Sequence, residues 1–279
     1  MKTAAVYLVS ALAVTLVGGC ATPPTAVSEP ATVGSKPVAN TAASADTVLE
    51  LGRALYAHDQ AGWHATDRFL ADTDEVAREG LGGYVVVPRA DGQHDVSFFR
   101  GQGADREVFW AAVVKGKKVS DAGPLPAPRP FTEAERVRRT AVDTAVAEFK
   151  PGSDTMCAGH TPLNTAVVDA PGGEEFYVYL LTPMTAMDQA VFGRHHRFHV
   201  SADGRDVLGS RTFTNSCAIF PTRPPEGGGK TVGIVTSHLL DPSPQETHVM
   251  VSLQHDQDVY VMTGDTLWSV SGRRIRKVK

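Results

Sequence analysis

Several absences bound this chain before anything in it is read. It holds three cysteines in 279 residues, Cys20, Cys157 and Cys217, and none sits at zinc-type spacing. HExxH is missing, as are G-x-S-x-G, S-x-x-K and the P-loop, so the common local signatures of zinc peptidases, serine hydrolases and nucleotide-binding enzymes do not apply. There is no basic excess: 27 Lys and Arg stand against 31 Asp and Glu, a formal net charge of -4. That balance argues against nucleic acid as a partner. The opening apolar run, Ala4 to Val17, is shorter than the roughly 20 residues a membrane-spanning helix needs.

What is present begins with MKTAAVYLVSALAVTLVGGC. A basic Lys2, a short apolar run and small residues before a cleavage point describe a secretory signal over 1–19. Val17-Gly18-Gly19-Cys20 resembles the lipobox of bacterial lipoproteins, with Val17 where the family usually has Leu. The resemblance implies that Cys20 is lipidated, with acyl chains such as palmitate, and becomes the mature N-terminus. Two or more chains hold firmly where one binds only marginally. Ala21, a non-Asp residue after the Cys, implies delivery to the Gram-negative outer membrane, facing the periplasm. Residues 20–45 are Ala, Thr, Ser, Pro and Val with almost no charge and no periodicity, and read as a disordered tether reaching roughly 25–30 Å on average.

The remainder predicts an α+β fold of antiparallel sheet meanders with a long packed helix. In 46–123, Asp46 is the expected cap of a helix over 47–58, and Asp59 of a second helix carrying Trp63, Phe69 and Leu70. GYVVVPRADGQHDVSFFR predicts a hairpin at Asp91-Gly92, and REVFWAAVVKGKKVSD another at Gly116. PLPAPRP, inside the connection 124–131, carries four prolines in seven residues and excludes helix and central strand alike. It reads as a stiff linker or as a connection across one surface. In 132–279, which either stands alone or joins 46–123 in one domain, Thr132 and Glu135 form a capping-box pattern opening a helix over 132–149. The rest reads as strands: EEFYVYLLT, a hairpin at Asp203-Gly204, then TVGIVTSHLL, ETHVMVSLQ, QDVYVMTG and TLWSVSG in a meander. PMTAMDQAVFG between them reads as irregular.

Chemistry has few footholds. Cys157 and Cys217 form an even pair suited to a disulfide in an oxidising compartment, closing a loop that would contribute roughly 4 kcal/mol. A reactive thiol is the alternative. On a strand, His195, Arg197 and His199 share one face and His196 and Phe198 the other, which suits solvated or hydrogen-bonded histidines better than a metal site. No metal or cofactor is expected. SHLLDPSPQETH gathers Ser237, His238, Asp241, Glu246 and His248, the residue types of a hydrolytic site, although a triad is defined in space rather than in sequence. SGRRIRKVK carries five basic residues in its last seven and could meet an anionic envelope polymer or headgroup, or simply form a charged edge strand.

FTNSC and TSHLLDPSPQETHVMVSL are similar to segments of uncharacterised proteobacterial envelope proteins, a resemblance that implies a compartment but no activity. Two functions follow from the whole reading. One is a lipid-anchored, non-catalytic module that binds or scaffolds an envelope partner. The other is a periplasmic hydrolase with its site near His238, Asp241 and His248.

Overall fold

The computed structural model describes residues 43–152, 155–159, 162–224, 228 and 231–278. The signal over 1–19, Cys20 and the tether as far as 42 lie outside the described residues.

The first element is a single helix, α1 (Ala45–Asp72), where the sequence suggests two. Ser44, not Asp46, caps it, its Oγ accepting from the Thr47 N–H at 3.1 Å. Asp59 opens no second helix; its carboxylate accepts from Gln254 Nε2 at 3.2 Å instead. The helix is about 42 Å long, and its apolar side changes partners halfway. Val48, Leu49, Leu51 and Leu55 enter one core. Ala61, Ala65 and Phe69 enter a second, against Phe98 and Trp110.

That second core covers a four-stranded antiparallel sheet in the order β1 (Leu81–Pro88), β2 (His94–Arg100), β3 (Glu107–Lys115) and β4 (Lys118–Pro130). Its hairpins turn at Gly92 and Gly116, both at positive φ, as the sequence predicts. The proline segment is no linker but the second half of edge strand β4, paired to β3 through bulges. Prolines 124, 126, 128 and 130 alternate, and alternate strand residues aim their N–H groups to one side. One lateral edge of the strand therefore loses its donors, a condition that an edge tolerates and a central strand does not.

The predicted capping box opens helix α2 (Glu133–Glu148). Thr132 N–H donates to Glu135 Oε2 at 2.7 Å, and Thr132 Oγ1 accepts from the Glu135 N–H at 3.3 Å. Ala141, Val142 and Ala145 pack on a second antiparallel sheet, ordered β5 (Asn164–Asp169), β6 (Phe176–Leu181), β8 (His196–Val200) and β9 (Val207–Thr212). Ala134, in the first turn, stays exposed. The PMTAMDQAVFG stretch contains a short strand, β7 (Gln189–Val191), which pairs with β10 (Ile219–Pro221). Just before β10, Cys217 is joined to Cys157 by a disulfide, which ties the loop after α2 to this ribbon.

The last sheet departs most from expectation. ETHVMVSLQ is not a strand but helix α3 (Glu246–His255). Every residue from Glu246 to Ser252 is buried, so no polar stripe reveals the helical period, and Thr247, Val249 and Val251 mimic the alternation of a strand. The helix serves as a crossover between β11 (Ile234–Ser237) and β12 (Val259–Thr263), which pair in parallel. A parallel pair needs a connection of about a dozen residues or more, and 238–258 supply it. Antiparallel β13 (Thr266–Val270) and β14 (Ile275–Lys277) complete the order β11-β12-β13-β14. No helix among the described residues is long and apolar enough to cross a membrane.

Candidate functional site

The cluster singled out in sequence does assemble, but as a clamp. Asp241 Oδ2 accepts from His238 Nε2 at 2.6 Å and from Arg211 Nη2 at 2.5 Å. Burial works against the Asp241 charge, yet the His238 hydrogen bond and the Arg211 guanidinium outweigh it and hold the carboxyl below its ordinary range. His248 stacks edge-on against His238, ring centroids 4.9 Å apart. Its Nδ1 accepts from the Gln245 N–H at 3.0 Å, which closes the first turn of α3. Burial, and then the neighbouring His238, push His248 down to about 3, so it stays neutral.

One residue further, Glu246 Oε1 accepts from Tyr179 Oη at 3.0 Å and from Arg197 Nη1 at 2.5 Å. Arg197 and Arg211 are register partners on β8 and β9. Two like charges directly opposed would repel; Glu246 and Asp241 neutralise one each. The carboxylates of the α3 segment thus dock it onto the second sheet. His238 and His248 are 1% and 2% exposed. Ser237 lies exposed on β11 and makes no hydrogen bond to His238 among the described residues. The geometry supplies a His–Asp pair that the neighbouring Ser237 does not join.

The remaining strand histidines are also committed. His195 Nδ1 accepts from the Thr182 N–H at 3.1 Å while Nε2 donates to the Val191 carbonyl at 3.0 Å. The ring pins both ends of the segment between β6 and β8, and burial lowers it to about 4. His196 bridges the Thr155 carbonyl and Thr212 Oγ1, and His199 pairs with Glu175. Among the described residues no three His, Cys, Asp or Glu side chains converge in a metal-holding group.

The segment His195 pins forms one wall of a cleft of about 340 Å³. Its other walls come from α1 and α3, each contributing an i, i+4 pair: Asp59 and Trp63, Met250 and Gln254. These helices meet tightly elsewhere, at Gly52, where an added Cβ would lie 2.5 Å from Val249 Cβ. Met184 and Met187 face the space from the pinned segment, with Leu181 and Val191 beside them. Gln189 Oε1 holds that segment, accepting from the N–H of Thr185 and of Ala186 at 3.1 and 3.2 Å. Trp63 is fixed by its indole N–H, which donates to Asp67 Oδ2 at 2.9 Å.

Three of the chain's six methionines therefore line one cleft. Thioether side chains are unbranched and polarisable, suited to surfaces that adapt to a ligand. Asp59 is the one carboxylate there among the described residues. Burial raises it above its ordinary range, against the hydrogen bonds from Gln254 and Gln60 that lower it. Sequence reasoning took Asp59 for a cap and Met250 for a strand residue. The legible signal was the pair Met184 and Met187, apolar side chains inside an otherwise irregular stretch. No protein-family model, curated protein or solved structure matches this chain.

Proposed function

We propose that the chain is a lipoprotein of the bacterial outer membrane, held through acyl chains on Cys20, whose folded body is a non-catalytic binding module. The cleft carries this reading. It is concave, with more apolar than polar surface and several polar groups among the apolar ones, a character that suits a small-ligand site. Its working part takes hold of a small apolar molecule rather than transforming one. The exposed Arg273, Arg274, Arg276 and Lys277 have no carboxylate partner among the described residues and suit contact with an anionic envelope polymer or membrane surface.

The hydrolase reading has one observation in its favour, the His238–Asp241 hydrogen bond. Against it, Asp241 and His248 are occupied in docking and capping α3, and Ser237, next to His238 in the chain, makes no hydrogen bond to it among the described residues.

Two measurements test the proposal. Radiolabelled palmitate supplied to expressing cells should enter the chain and fail to enter Cys20→Ser; equal labelling of both contradicts the anchor. Calorimetric titration of the full chain with a neutral apolar probe, 4-phenylbutanol, should show one saturable site weakened severalfold by Met184→Gln with Met187→Gln. Absence of saturable binding contradicts the cleft as a site.

A further inference from the structure

Among the described residues, each of the three buried carboxylates bonds an arginine: Glu135 with Arg129, Asp241 with Arg211, Glu246 with Arg197. Asp59 differs from these three. It is half-buried at the cleft, and the groups that reach it are neutral amides, Gln254 Nε2 at 3.2 Å and Gln60 Nε2 at 3.4 Å. No cation pairs with it among the described residues. Among the described residues no lysine or arginine lines the cleft, and the one imidazole there, His195, has both nitrogens engaged within the protein. A carboxylate among Trp63, Leu181, Met184, Val191 and Met250 is thus left with its charge uncompensated.

We infer that the cleft recognises an apolar organic cation, an alkyl- or arylamine whose ammonium lies against Asp59 and whose body lies among the methionines. The inference rests on the reading of the cleft as a binding site and adds the ligand's chemical class. An ammonium needs one carboxylate and neutral acceptors. A hard divalent ion favours several carboxylate oxygens, and among the described residues Asp59 is the one carboxylate that lines the cleft. The side-chain carbonyl oxygens of Gln254 and Asn164, which line the cleft with Asp59, supply such acceptors. A charge-assisted hydrogen bond in a partly desolvated cleft is about twice as strong as a neutral one, and Trp63 adds an aromatic surface of the kind that attracts cations. Met187, 66% exposed, stands at the mouth, where an unbranched side chain can follow the shape of the body that enters.

The test compares 4-phenylbutylamine with its neutral isostere 4-phenylbutanol by calorimetry, on the full chain and on Asp59→Asn. The amine should bind about tenfold tighter than the alcohol or better. In Asp59→Asn that advantage should vanish while the alcohol binds as before. If Asp59→Asn fails to fold, Met184→Lys replaces it: an internal ammonium at the cleft wall should compete for Asp59 and cut amine affinity severalfold. Equal binding of amine and alcohol by the unaltered chain, or an amine advantage that survives Asp59→Asn, overturns the inference and leaves the cleft as a neutral apolar site. Failure of both probes to bind overturns the cleft reading as well.

Discussion

At the scale of single residues, the fold keeps several histidines neutral in its interior. His58 is buried, accepts from the Val167 N–H at 3.2 Å and is lowered to about 3, first by desolvation. His195 and His248 are lowered to about 4 and about 3 for the same reason. Each has a folded pKa below its unfolded value near 6.5, so each contributes stability that is complete above pH 6.5 and is lost as pH falls toward the folded value. Between pH 6 and 5 unfolding takes up nearly one extra proton per ring, and three rings give a slope of about 4 kcal/mol per pH unit. Denaturant melts at pH 7.5 and 5.5 check this; equal midpoints contradict it. Glu135, held at about 2 although burial works against its charge, adds to the loss only as pH falls through the carboxylate range, by no more than about 2 kcal/mol because solvent reaches Arg129. Glu246 makes a sharper case. Glu246→Gln leaves Arg197 opposite Arg211 with one counter-charge removed, and breaking a buried pair from one side costs about 3–5 kcal/mol. Equilibrium unfolding of the variant measures it.

At the scale of elements, α1 and α3 approach each other closely at Gly52. An alanine at Gly52 would place its Cβ 2.5 Å from Val249 Cβ and 2.8 Å from the Glu246 carbonyl. Glycine to alanine within a helix ordinarily gains up to about 1 kcal/mol. Overpacking costs about 1–3 kcal/mol, so Gly52→Ala should destabilise on balance, and a raised denaturant midpoint contradicts that. The same elements show what could be read in advance. The capping box at Thr132 and Glu135, and the hairpins at Gly92, Gly116 and Gly204, are local devices, and the structure contains each of them where the sequence places it. The α3 helix was hidden because it is buried all round, so its periodicity carries no contrast. The β4 prolines misled because their effect depends on whether a strand lies at an edge, which no local sequence states. The cleft was hidden for a related reason. Its walls are spread over 59–63, 164–195 and 250–254, and only α1 and α3 packing in parallel with the pinned segment brings them together.

At the scale of the whole molecule, the histidine–carboxylate cluster singled out in sequence and the methionine-lined cleft fall in different places. The residues whose types suggested catalysis are consumed in docking α3 to the second sheet, with the Cys157–Cys217 disulfide securing the neighbouring ribbon. The apolar cleft lies instead where α1 and α3 meet the segment pinned by His195, and methionines line it. The most direct measurement of this division is methyl NMR of the full chain labelled at methionine, titrated with 4-phenylbutylamine. The account predicts that the resonances of Met184, Met187 and Met250 move together and saturate, while Met156 and Met262, away from the cleft, stay in place. Shifts confined to Met156 or Met262, or no saturable shift at the three cleft methionines, would contradict it.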